Sequence, residues 1–360
     1  MSDDTTHIRD AGAPFSPSPH PHYPHCHPFP PADFILRSSD GVDFHVHQDI
    51  LKFSSTCFDG MFTAVRNGTS NLSRDWKPVI LLPEPHPVLR LLLTLAYPAV
   101  LVSQYSLTQA DLDVFVDTYK AAGEYRFMNV QQLLDQMLDN SSLIEAHPHR
   151  LFAIGRICDV HSVVRKAALC TLRSTLHPRL AAFPEMRRLS WDEAQKLPVF
   201  HHMCGINAEK IVKGNAKSPR EVFRVGDADE RGYLYPQIQN TETTETFVWW
   251  SLGKHSKKCV SRCVKIESKK ISRGDVRATP LSWFRDHMAI VAHRALSAPS
   301  HDLVKVEVLN ITPATRTIID SCAICSEYAD SDLANFAGHL ATDIEDTNNL
   351  LVMKFCHDRV

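Results

Sequence analysis

Between residues 32 and 98 of this 360-residue chain the hydrophobic period switches repeatedly, and few folds accept the resulting order of elements. Phe34, Ile35 and Leu36 form a short apolar run. Ser39-Asp40-Gly41 follows as a turn signal, because glycine tolerates positive φ and aspartate hydrogen-bonds its own backbone. Val42, Phe44 and Val46 then alternate with Asp43, His45 and His47, the period of a half-buried strand. Two strands about an Asp-Gly turn predict a hairpin. The period lengthens next. Ile50, Leu51 and Ser54 share one helical face, and Phe58, Met61, Phe62 and Val65 another. Residues 66–77 read as a polar loop and residues 79–82 as a second buried strand. A strongly apolar helix over residues 88–97 ends at Pro98, which cannot continue it. Phe34, Phe44, Leu51, Phe58, Met61 and Leu92 are the candidate core of this block.

Two more helices extend it. Thr108 with Asp111 marks a helix start, and Leu112, Phe115, Val116 and Tyr119 space as one buried stripe. Asn129 is placed to cap a helix whose face is Val130, Leu133, Leu134, Met137 and Leu138. Hairpin, helical pair, strand and helix in this order resemble the BTB/POZ domain. The resemblance covers about a third of the chain and ends near residue 143. Residues 151–156 and 167–172 resemble the helical region that follows this domain in many fungal BTB proteins. The implied class is α+β: a BTB/POZ fold of small sheet and helical hairpins, then a mainly helical extension, then a Cys-containing helical C-terminal region. The implied function is non-enzymatic protein–protein interaction through the BTB domain, as a homodimerising scaffold or an adaptor. Adaptors of cullin-type ubiquitin ligases in this family place a hydrophobic residue two positions before a glutamate; residues 61–68 contain no glutamate.

The rest of the chain divides by composition. Residues 1–31 carry closely spaced prolines and His20, His22, His25, Cys26 and His27, and read as a disordered Pro/His-rich tail. Residues 32–143 are the BTB/POZ segment and 144–212 a helical extension. In the extension Pro148 suits a first helical turn, and Ser190 with Glu193 forms a capping box. Residues 213–246 read as a loop or linker, and 247–360 as a mainly helical region. There Phe247 to Trp250 is expected as a short aromatic strand, and Thr279-Pro280 opens a helix carrying Trp283, Phe284, His287, Met288 and Val291. Ser300 is placed to cap the next helix, and Leu333, Phe336, Leu340 and Ile344 mark a later one.

Charge and apolar runs narrow the function. A net charge of −2 gives no overall drive toward nucleic acid or acidic membrane. No uninterrupted apolar run reaches the roughly 18–20 residues of a membrane span, so the expected setting is intracellular, in cytoplasm or nucleus. Cysteines there are reduced or metal-bound rather than disulfide-paired.

Chemistry concentrates in two cysteine pairs. Cys259-x3-Cys263 and Cys322-x2-Cys325 can supply four thiolates to one tetrahedral, structural zinc ion, with His255 able to replace a cysteine. The alternative is a set of buried free thiols, since cysteine is commonly a small core residue. Fungal BTB proteins often carry an aromatic pair, then cysteines, then a distal CxxC; Trp249-Trp250, Cys259/Cys263 and Cys322/Cys325 follow that order. Lys254, Lys257, Lys258, Arg262, Lys265, Lys269, Lys270 and Arg273 form a basic run that supports a rival reading, a nucleic-acid-associated regulator. His201, His202 and Cys204 read as helix-end polar residues. The sequence holds no GxSxG, GxxxxGK[ST], GxGxxG or HExxH pattern.

Overall fold

The computed structural model describes residues 8–12, 14–16, 31–69, 72–97, 106–176, 183–213, 225–228, 234–236, 248–250, 255 and 281–357. The chain divides into two compact units, Met1–Val163 and Val164–Val360. The division falls inside the segment that reads as one helical extension.

The first unit is built on a sheet in the order β1-β3-β2-β5-β4. The strands are β1 (Arg9–Asp10), β2 (Phe34–Arg37), β3 (Val42–Val46), β4 (Ser73–Arg74) and β5 (Lys77–Leu81). β2 and β3 form the expected hairpin, with Leu36 opposite Phe44, and Gly41 takes the positive φ of 79° that the turn needs. β5 runs parallel to β2, with Ile35 opposite Val79. A parallel neighbour requires a crossover, and the helical pair α1 (Gln48–Ser54) and α2 (Thr56–Ala64) lies within it. Ser55 separates the two helices. Its hydroxyl accepts from Phe58 N and donates to Tyr125 O, fixing the α1–α2 corner to the helical end of the unit.

That helical end comprises α3 (His86–Ala96), α4 (Leu112–Glu124), α5 (Met128–Asp139), α6 (Leu143–Ala146) and α7 (Pro148–Ile157), with α8 (His161–Thr171) following. α3 buries Val88, Leu89, Leu91, Leu92, Leu93 and Leu95. Phe58 sits among Phe62, Tyr125 and Phe127, with ring centroids 5.8, 5.2 and 5.4 Å away.

Five of the six candidate core residues are buried: Phe34, Phe44, Leu51, Phe58 and Leu92. Met61 is only half-buried. α2 turns its i, i+4 pair Phe58 and Phe62 inward, so Phe62 fills the place expected of Met61. Other boundaries also differ. Met128 opens α5, so Asn129 lies inside that helix rather than capping it. Residues 66–77 are not all loop, because β4 pairs with β5 about Asp75 and Trp76, both at positive φ (54° and 65°). Within the expected tail, β1 pairs parallel to β3, and Ala11 and Phe15 are buried. The Phe15 ring centroid is 5.9 Å from Phe44 and 5.2 Å from Tyr97. Its carbonyl accepts from His45 N at 3.0 Å. The histidine-rich stretch of that tail lies outside the described residues.

The second unit is helical among its described residues apart from a two-stranded ribbon, β6 (Val225–Ala228) with β7 (Leu234–Pro236), inside the expected linker. Its helices are α9 (Trp191–Val212), α10 (Ser282–Ser297), α11 (His301–Leu309), α12 (Pro313–Asp320) and α13 (Ala323–His357). Ser190 caps α9, accepting from Glu193 N at 3.3 Å, as the capping box predicts. Gly205 marks a close approach of α9 to α10: a Cβ there would lie 2.3 Å from Leu296 O. α10 buries Trp283, Phe284, His287, Met288 and Val291, the residues its period singles out. Ser300 occupies the cap position of α11 without a side-chain capping bond. α13 buries Leu333, Leu340 and Ile344, with Phe336 partly buried beside them.

Candidate functional site

The first unit shows how its polar strand face is closed. The alternation in β3 predicts a solvated face at Asp43 and His45, yet both are buried. The Asp43 carboxylate accepts from Arg37 Nε at 2.6 Å and Nη2 at 2.9 Å, and from Arg74 Nη1 at 2.6 Å. Asp10 of β1 pairs with Arg74 at 2.9 Å and meets His45 Nε2 at 3.3 Å. Burial pushes the Asp43 carboxyl up, but the hydrogen bonds from the two guanidiniums outweigh it and hold its pKa below the usual carboxylate range. A buried carboxylate is tolerated only when paired in this way. The cluster joins β1, β2, β3 and β4, so the order of the sheet and its ion pairing specify one another.

The BTB/POZ domain family model matches residues 30–142. This stretch is a BTB/POZ domain. It is a protein–protein interaction module, in a family that is typically non-enzymatic. No curated protein matches the chain. Among the described residues, no helix is long and apolar enough to cross a membrane.

The BTB domain leaves several large apolar side chains in solvent. Phe53 on α1 is 91% exposed and Trp76, at the β4–β5 turn, 103%. Leu81 and Met128 are also exposed. Trp76 holds a left-handed conformation that a bulky residue rarely adopts, and it gains no burial there.

The second unit contains the one group of described residues able to hold a metal ion: His255, Cys322 and Cys325. His255 Nδ1 lies 3.5 Å from Cys322 Sγ and 3.5 Å from Cys325 Sγ. All three ligand atoms fall within 4.8 Å of one another. Both cysteines are buried and the histidine is half-buried. Their placement follows from α12 and α13. Cys322 N bonds Ile319 O at 3.0 Å, closing α12, and Cys322 O accepts from Ser326 N at 2.8 Å, starting α13. Cys322 thus sits at a helix N-terminus, where unsatisfied N–H groups favour a thiolate. The buried positions Cys325, Ala329, Leu333, Ala337, Leu340 and Ile344 recur at helical spacing, so the second sulfur heads the core stripe of α13.

An aromatic cluster stands in the same core. Trp249 stacks on Phe284 at 4.1 Å and 7° and meets Trp283 and Phe336 edge-on at 6.0 and 5.6 Å. The turn that carries Trp249 is a 3₁₀ turn, Val248–Trp250, rather than the expected strand. Val248 N donates to Asp332 Oδ2 at 2.6 Å, and Trp249 O accepts from Leu281 N at 3.0 Å. These two bonds tie the turn to α13 and to the start of α10, which no local period could reveal.

Of the four cysteines proposed as ligands, Cys322 and Cys325 are brought together with His255; Cys259 and Cys263 lie outside the described residues, as does the basic run after His255. His201, His202 and Cys204 lie in the body of α9, not at its end. His201 Nε2 is 3.0 Å from Ser174 O, and burial lowers its pKa. Burial pushes the Cys204 thiol up to about 12. These residues form no metal group among the described residues.

Proposed function

We propose that this protein is a non-enzymatic scaffold that associates through apolar surface of its BTB domain, with a second copy of the chain as the first partner. The BTB match over residues 30–142 carries this reading. Exposed Phe53 and Trp76 support it, because large apolar side chains left in water gain free energy when a partner covers them. A scaffold is favoured over a cullin adaptor because residues 61–68 lack the glutamate that such adaptors carry.

Sedimentation of the full chain over a range of concentrations tests the proposal. A rising mass with concentration is expected, and Phe53→Glu or Trp76→Glu should shift it toward the monomer. A chain that stays monomeric throughout, and retains no protein that these variants release, would overturn it.

A further inference from the structure

We infer that His255, Cys322 and Cys325 are three of the four ligands of one zinc ion that serves as a structural staple of the C-terminal unit. The inference goes beyond the BTB reading and does not depend on it.

Distance supports it first. Zinc sits about 2.3 Å from thiolate sulfur and about 2.0–2.1 Å from imidazole nitrogen, so tetrahedral coordination places sulfur and nitrogen about 3.5 Å apart. Both S···N separations here are 3.5 Å. The same geometry sets the two sulfurs about 3.8 Å apart, inside the 4.8 Å that encloses all three atoms. A hydrogen-bonded cluster accounts for this less well. A ring nitrogen carries one proton or one lone pair, so equal approach to two sulfurs is one contact more than it can make well.

Donor chemistry comes second. Two thiolates and an imidazole suit zinc and are poor ligands for magnesium or calcium, which prefer oxygen. The spacing is also favourable: Cys322-x2-Cys325 spans the α12–α13 corner, and the N-terminus of α13 stabilises negative sulfur.

Position argues for a structural role. Both sulfurs are buried and belong to the same core as Trp249, Trp283 and Leu333. His255 is remote in sequence from the CxxC pair, so an ion shared by all three crosslinks segments about seventy residues apart. Such a link contributes folding free energy, because the site does not exist in the unfolded chain.

The test uses the full chain purified from zinc-supplemented cells. Zinc content and zinc-edge X-ray absorption are measured on the unaltered protein and on Cys322→Ser, Cys325→Ser and His255→Cys. One zinc ion per chain is expected, with mixed sulfur and nitrogen scattering. His255→Cys should keep the ion while exchanging nitrogen for sulfur in that shell. Each serine variant should lower zinc affinity by more than the roughly 10–100-fold that loss of an outer-shell partner costs. The spectrum of the unaltered protein stands by itself if a variant fails to fold. A folded chain without zinc, a bound ion with only oxygen neighbours, or a shell unchanged by His255→Cys would each overturn the inference.

Discussion

A buried aspartate of the BTB domain and two buried histidines of the C-terminal unit are accommodated by different means. In the BTB domain a charge goes inside: Asp43 is buried and held ionised by Arg37 and Arg74. In the C-terminal unit two buried histidines are held another way, against main-chain carbonyls. His201 and His287 each place a ring nitrogen against a main-chain carbonyl, Ser174 O at 3.0 Å and Val308 O at 2.8 Å. Burial lowers the pKa of both. The first device needs several strands to converge on one carboxylate; the second needs only a helix to end near a ring. Ion pairing thus helps specify the sheet-based core, while close packing and, in our proposal, a metal ion help specify the helical one.

The largest expected effect is confined to the BTB domain. Phe58 is fully buried among three aromatic rings, so Phe58→Ala should cost about 3–5 kcal/mol. Hydrogen exchange, read separately for peptides of the two units, should show lost protection in residues 34–139. Near-neutral stability would contradict the assigned core.

A smaller effect is expected on the other side. Gly205→Ala puts a methyl group against Leu296 O, and the backbone cannot yield as a flexible side chain could. The cost should be about 1–3 kcal/mol, as for other overpacked sites, with exchange quickening in α9 and α10. If the variant is as stable as the parent, the close helix approach is wrong.

The smallest effect separates the units by pH. The folded pKa of His201 and His287 is lowered, so their contribution is full above about pH 6.5, the unperturbed histidine value. It is lost as pH falls, because the unfolded chain takes up the protons first. Asp40 of the BTB domain responds later. Burial opposes ionisation of Asp40, but hydrogen bonding to His86 prevails and holds its pKa down to about 2. Its contribution is present above about pH 3.9 and is lost only as pH falls from there toward about 2. Between about pH 6.5 and pH 4, thermal unfolding followed by exchange should show the C-terminal unit weakening first. Equal weakening of both units would remove the distinction.

The two regions also differ in how much their sequence reveals. The BTB domain is legible because its elements are short and the hydrophobic period changes after the Asp40-Gly41 hairpin and again after residue 82. Its polar strand face is not legible: alternation reports polarity, and it cannot see that Arg37, Arg74 and Asp10 close over Asp43 and His45. Met61 differs from expectation because α2 offers two apolar positions a turn away from Phe58 and only packing chooses Phe62. In the C-terminal unit the period of α10 and α13 identified the buried face, and the CxxC spacing drew attention to Cys322 and Cys325. The pinning of Val248 to Asp332 and the approach of His255 to the sulfurs join residues far apart in sequence. No local pattern encodes them.

The most direct test of this contrast is hydrogen exchange on the full chain before and after zinc is removed with a chelator. Protection should fall across residues 281–357 and persist across residues 34–139, with recovery when zinc is restored. Unchanged exchange in residues 281–357, or equal loss in both regions, would contradict the account.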